Sequence, residues 1–113
     1  MAKYLILIYG DEQQWAGMSE RERLELEAGH AAFRAAAGDR VLDGQELEAP
    51  GTATTLRLLT TTDGPFLETK EALGGYYLLQ AADLDEVITL AGMLPEVAAG
   101  HSGVEIRPVR DHG

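Results

Sequence analysis

Positions 4–9, YLILIY, carry only apolar and aromatic side chains, and Gly10 and Asp11 close the run. A short unbroken apolar run between turn residues predicts a strand buried on both faces. Residues 13–18, containing Trp15, read as a loop or a short helical turn. Ser19 followed by Glu22 is a capping box, so a helix is predicted from there to Ala37, with Gly38 as its stop. Leu26, His30, Phe33 and Ala37 recur on one stripe of that helix, which places His30 on the core side. Glu20, Glu25, Glu27 and Arg34 populate other faces.

Residues 40–62, RVLDGQELEAPGTATTLRLLTTT, predict two extended pieces separated by a Pro50-Gly51 turn. Residues 74–82, GGYYLLQAA, predict a second strand that is apolar on both faces. Asp83 with Glu86 caps a second helix, lined on one side by Leu84, Val87, Ile88, Ala91 and Leu94 and ended by Pro95. The last strand, GVEIRPV at 103–109, alternates Val104, Ile106 and Pro108 against Glu105, Arg107 and Val109.

The resulting order is β-α-β-β-β-α-β within one domain over 1–113. This is an α+β, ferredoxin-like split βαβ pattern, with two helices on one face of an antiparallel sheet. Two helices cannot cover the other face as well, yet two strands are apolar on both sides. The remedy expected for such an exposed face is a homodimer formed by sheet-to-sheet packing about a two-fold axis.

Charge narrows the choice of partners. Nine basic against nineteen acidic residues give a formal net charge of -10, which argues against direct binding to nucleic acid or to an anionic membrane. The chain has no cysteine, so disulfides, thiolate catalysis and Cys-ligated zinc are excluded. The N-terminal apolar run is too short for a signal or a membrane span, and a cytoplasmic location is expected. His101 and His112 lie in a loop and the tail, and no His-x-His or His-x-x-x-His spacing occurs, so no metal is expected. Gly74-Gly75 lacks the lysine and following helix of a phosphate loop, although it would admit a ligand or another backbone closely. With no dinucleotide fingerprint and no nucleophile motif, no cofactor is expected, and any catalysis here is acid–base work.

Residues 62–71, TDGPFLETKE, place a tight turn, an aromatic and several charges together. One reading is that the turn and Phe66, plugged into the core, anchor the loop and hold Asp63 with little freedom, as a proton-transfer site requires. The plainer reading is ordinary Asp-Gly-Pro turn chemistry. His30 is the matching acid–base candidate, since imidazole titrates near neutrality. A carboxylate on one ring nitrogen would fix its tautomer, and Asp63 is the natural partner, with Asp43 a rival that sequence does not rank by distance. A core histidine held by a single partner is the alternative for His30. Tyr9, Tyr76 and Tyr77 offer hydroxyls to a bound ligand, and Arg107 offers a guanidinium to a substrate carboxylate. For the tyrosines the competing roles are core or dimer interface, and for Arg107 a salt bridge to Glu105.

DGPFLETKE at 63–71 followed by GGYYLL at 74–79 resembles the signature of the DGPF group of YCII-related proteins. KYLILIYGDE, Trp15, GHAAF, TATT and VEIRPV agree with it along nearly the whole chain, while Leu67 stands where a smaller residue is expected and 55–63 is short for the family. The resemblance implies a ferredoxin-like dimer of the dimeric α+β barrel type, with a histidine at this point of the first helix. For the wider superfamily it implies enzymes that use a histidine and an acidic residue, including a dehydrochlorinase-like lactone or muconate activity. It also implies an association with extracytoplasmic-function sigma factors, whose genes often neighbour DGPF genes. Two functions therefore stand open. One is a small acid–base enzyme, with His30 as base or acid, Asp63 orienting it, and a small acidic or lactone-like molecule in the dimer cleft. The other is a non-catalytic ligand-binding or regulatory module with a sigma-factor partner.

Overall fold

The computed structural model describes residues 1–112. In chain order the elements are β1 (Ala2–Asp11), α1 (Glu12–Ala16), α2 (Glu20–Ala37), β2 (Val41–Glu46), β3 (Thr54–Arg57), β4 (Thr60–Asp63), β5 (Glu71–Ala81), α3 (Leu84–Ala91), α4 (Pro95–Ala98) and β6 (Ser102–Pro108). One four-stranded sheet has the order β2-β5-β1-β6, with every neighbouring pair antiparallel. That is the ferredoxin-like arrangement expected from the order of the elements. The sheet's helix-facing side chains meet Phe33 and Ala37 of α2 and Val87, Leu90 and Ala91 of α3 in one core.

The strand signal works through alternation. In β1, Tyr4, Ile6 and Ile8 are buried under the helices, while Leu5, Leu7 and Tyr9 point the other way and remain partly exposed. In β5, Tyr77, Leu79 and Ala81 face the core, and Tyr76 and Leu78 face away. Ile6, Phe33, Leu79, Val87 and Leu94 are the largest fully buried side chains, each worth about 1.5–3 kcal/mol of burial. The smallest dimension of the molecule is 19 Å, which is one sheet and one helix layer.

Two stretches depart from the sequence reading. Pro95 does not end the second helix. α3 stops at Ala91, and Pro95 instead occupies the first turn of α4, where its missing N–H is not needed. The second extended piece within 40–62 is not a single strand. It folds back at Leu58 and Leu59 into the hairpin β3–β4, which forms its own two-stranded sheet. Both leucines adopt positive φ, 50° and 63°, where an L-residue costs about 1–2 kcal/mol. Asn-Gly is the pair that suits such a two-residue turn, and its absence hid the hairpin. Phe66 also departs: it is exposed rather than plugged into the core, with the Arg57 guanidinium 4.2 Å above its ring centre.

Candidate active site

α2 brings the first group. Ser19 Oγ accepts the Glu22 amide at 3.1 Å, and Glu22 Oε1 accepts the Ser19 amide at 3.2 Å, so the helix starts where the capping box predicts. These bonds to Ser19 hold the Glu22 carboxyl below its ordinary pKa. Three turns on, Gly29 faces α4 so closely that a Cβ there would lie 2.2 Å from Pro95 Cγ. That approach sets His30 beside Glu96, the residue after Pro95.

The two side chains meet directly. His30 Nε2 lies 2.8 and 3.0 Å from the two carboxylate oxygens of Glu96, and His30 Nδ1 lies 2.7 Å from Tyr77 Oη. Arg34, one turn further along α2, donates from a guanidinium nitrogen to Tyr77 Oη at 3.1 Å. The Tyr77 ring is placed by packing. It lies over Gly44, where a Cβ would come within 2.5 Å of it, and its centre is 4.7 Å from that of Phe33.

Proton placement follows from the partners. An ionised carboxylate only accepts, so Nε2 carries a proton and donates it to Glu96. Nδ1 then accepts from the Tyr77 hydroxyl, whose oxygen in turn accepts from Arg34. The result is a continuous line of carboxylate, imidazole, phenol and guanidinium. Glu96 is 6% exposed and the His30 side chain 17%, so the line is largely shielded from water, while Arg34 is exposed. Burial pushes the Tyr77 pKa up, Glu96 adds to this, and the Arg34 bond and charge oppose it. The phenol therefore keeps its proton at neutral pH.

This shift has a consequence at alkaline pH. A pKa raised by folding contributes stability that is intact below the ordinary tyrosine value of about 10 and is lost as pH rises through the folded value. Tyr77→Phe is therefore expected to flatten the fall of the thermal midpoint above about pH 10 relative to the parent chain. A fall of equal steepness in both proteins would show that Tyr77 ionisation is not coupled to folding.

Of the residues singled out from sequence, His30 and Tyr77 come together and the others lie elsewhere. Asp63 sits at the end of β4, exposed and opposite Thr54, and both His30 nitrogens have other partners. Asp43 lies on β2, accepting the Gly44 amide and the Tyr76 hydroxyl. The bond to Asp43 raises the Tyr76 pKa. Tyr9 is on the open face of β1, opposite Leu73 and Gly103. Arg107 is exposed on β6 and pairs with Glu105. Gly74 makes room for no ligand, because the Trp15 ring fills the space a Cβ would take there and at Gly10. Trp15 Nε1 donates to Ser102 Oγ at 3.1 Å, and a groove of about 190 Å³ between Trp15, Leu26 and His101 reaches Glu96.

Glu96 and Arg34 were missed by sequence reasoning. Arg34 carried a signal, since it stands four residues after His30 on the same helix and such pairs are neighbours. Glu96 carried none at short range, since it lies 66 residues from His30. Among the described residues no three His, Asp or Glu side chains are grouped to hold a metal ion, and no helix is long and apolar enough to cross a membrane.

Comparison with known proteins bears on the fold and the family. A solved structure of 5-chloro-2-hydroxyhydroquinone dehydrochlorinase from Burkholderia phenoliruptrix AC1100, in complex with 2,5-dihydroxybenzoquinone, superimposes with a TM-score of 0.58 at 19% identity. The match covers 98% of this chain and 95% of that one, a likeness of fold. An uncharacterised protein of Rhizobium meliloti (strain 1021) is 31% identical over 112 residues, covering 94% of this chain and 90% of its own. The YCII-related domain matches residues 2–112, and the chain belongs to the YCII-related family.

Proposed function

We propose that this protein is a small acid–base enzyme whose working atom is Tyr77 Oη, backed by His30 and Glu96. One observation carries the reading: both nitrogens of His30 are occupied, one by Glu96 and one by Tyr77. The imidazole has no face left for a substrate, so it acts through the hydroxyl, in the same order of carboxylate, imidazole and hydroxyl that activates a catalytic serine. Tyr77 Oη donates one bond to His30 and accepts one from Arg34, which leaves its second lone pair for a substrate proton. As that proton arrives, the original phenol proton moves to His30 Nδ1, and Glu96 holds the imidazolium. A carbonyl or leaving group on the substrate takes up the electron pair. Arg34 spends one of its five N–H groups on Tyr77 and presents the others outward, where they suit a carboxylate or enolate oxygen.

The substrate class is a small acidic or lactone-like molecule with a proton made acidic by a neighbouring carbonyl. The neighbour's dehydrochlorination, the removal of a proton coupled to loss of chloride, is chemistry of this kind. The 63–71 segment supports membership of the DGPF group. The open apolar face of Leu5, Leu7, Tyr76 and Leu78 supports a sheet-to-sheet homodimer. Asp63 has no part in this relay, since both His30 nitrogens are bonded elsewhere. A non-catalytic ligand-binding or sigma-factor-associated module would instead use the His30 line only for packing.

Nitrogen-15 NMR of the three histidines tests the relay without a known substrate. His30 is expected as the Nε2–H tautomer at neutral pH, with its pattern changed by Glu96→Gln and by Tyr77→Phe but not by Asp63→Asn. A His30 signal that responds to Asp63→Asn and ignores Glu96→Gln would sink the assignment. A screen of small lactones, hydroxyquinones and unsaturated acids then separates enzyme from binding module, since only the enzyme turns one of them over.

A further inference from the structure

Glu96 is a buried carboxylate without a cation. It is 6% exposed, and among the described residues its one bonding partner is the His30 imidazole, with no lysine or arginine paired to it. With Nδ1 accepting from Tyr77, that imidazole is neutral and supplies a single N–H. A carboxylate offers about four acceptor sites, and a buried charge is ordinarily balanced by an opposite one. Glu96 therefore lacks both a counter-charge and donors. It also lines the groove of about 190 Å³, which His30 does not. Trp15, Met18, Leu26 and Pro95 make much of that groove apolar, and Glu22 and Glu25 add two exposed carboxylates to it. Glu25 pairs with Arg21 at 3.2 Å on the surface, a contact worth little in water.

We infer that the groove between α1, α2 and α4 binds a small organic ammonium, its charge set against Glu96 and its apolar body against Trp15, Met18 and Leu26. The ammonium supplies the counter-charge that Glu96 lacks, and the apolar walls shield the pair from water, which strengthens it. An anion would face three carboxylates. A metal ion fits less well, since among the described residues no three side chains are grouped to hold one. The aromatic wall is fixed in advance. Trp15 Nε1 donates to Ser102 Oγ, which also lies 2.8 Å from His101 Nδ1, and a Cβ at Gly10 or Gly74 would come within 2.3 or 2.5 Å of the Trp15 ring. A ligand thus meets a formed surface and orders little on binding. The site goes beyond the acid–base reading and does not require Tyr77 to be catalytic. It reaches His30 because ligand and imidazole bond the same carboxylate.

Trp15 is the single tryptophan of the chain, so its fluorescence reports on the groove. Benzylamine, which is protonated at neutral pH as lysine is, is titrated at about 0.15 M ionic strength, where general attraction to an acidic chain is screened. Benzyl alcohol and benzoate are the neutral and anionic counterparts. Benzylamine is expected to give a saturable change, benzyl alcohol to bind at least tenfold more weakly, and benzoate to give none. The nitrogen-15 signal of His30 Nε2 should move as benzylamine saturates, because the ammonium takes over part of the carboxylate that Nε2–H holds. Ala99→Leu, which narrows the groove, should abolish the response, with circular dichroism as the check on folding. Glu25→Lys, on the surface and safe for the fold, should weaken benzylamine about tenfold by reversing one charge. Benzyl alcohol binding as tightly as benzylamine, no saturation by benzylamine, or saturation that leaves His30 Nε2 unmoved would each overturn the site. So would a response that survives in folded Ala99→Leu or is unchanged in Glu25→Lys. A His30 that is doubly protonated at neutral pH would overturn it too, since the imidazolium is then the counter-charge.

Discussion

Tyr77→Phe will lower turnover of the substrate found in the screen by about 10²–10⁴-fold, the usual weight of a positioned acid–base group, and will move KM little. The change removes one oxygen and nothing else. The ring still lies over Gly44 and against Phe33, so the core is unaltered. His30 Nδ1 loses its donor and Arg34 an acceptor, which costs about 1 kcal/mol of stability and leaves the protein folded. A rate loss of that size corresponds to roughly 3–5 kcal/mol of transition-state stabilisation, well above the structural cost, so the two effects are separable. Tyr76→Phe is the matched control. Tyr76 points to the opposite face of β5, where its hydroxyl bonds Asp43 of β2, and loss of that hydroxyl should leave turnover unchanged. Equal losses in the two variants, or a rate unchanged by Tyr77→Phe with KM raised, would remove the phenol from the chemistry and leave it a ligand contact.

The contrast between these neighbouring tyrosines shows what sequence conveys and what it does not. Period-two alternation sends Tyr76 and Tyr77 to opposite faces, which is legible without coordinates. The N-caps Ser19 and Asp83 and the apolar stripes likewise locate the helix starts and the core side of α2, and with them the fold class. His30 on the core stripe follows from the same periodicity. Its carboxylate partner does not, because pairing over 66 residues depends on how closely α2 and α4 approach, and Gly29 against Pro95 decides that. Asp63 looked like the partner because its turn is locally conspicuous. Local conspicuousness reports the turn, not where the turn is carried, and here it is carried on β3–β4, a sheet of its own, while His30 is bonded to Glu96 and Tyr77. Two leucines at positive φ break the local rule for hairpin turns, so the part of 40–62 that follows Pro50-Gly51 reads as one extended piece.

The same dependence of the site on packing makes Phe33→Ala the most damaging single change to stability. Phe33 is fully buried, one turn along α2 from His30, and touches the ring of Tyr77. Truncation to alanine is expected to cost about 3–5 kcal/mol, the removed apolar contact plus the cavity left where helix and sheet cannot collapse. Against a total of roughly 5–15 kcal/mol for a domain, this leaves a marginal fold. Urea unfolding at a fixed protomer concentration reads the loss as a lowered midpoint with an unchanged slope. Phe33→Leu, which keeps most of the volume, should lose much less. The effect should reach the relay as well, since Phe33 is one wall that keeps Tyr77 Oη aimed at His30. In the alanine variant, under conditions where it is folded, the Nδ1 nitrogen signal of His30 should move toward that of Tyr77→Phe. A large loss of stability with an unmoved His30 signal would mean that Gly44 and the strand pairing hold Tyr77 in place without help from α2. A small loss, near 1 kcal/mol, would mean that the core closes over the gap, and that the helix layer is looser than the close contact of Gly29 with Pro95 implies.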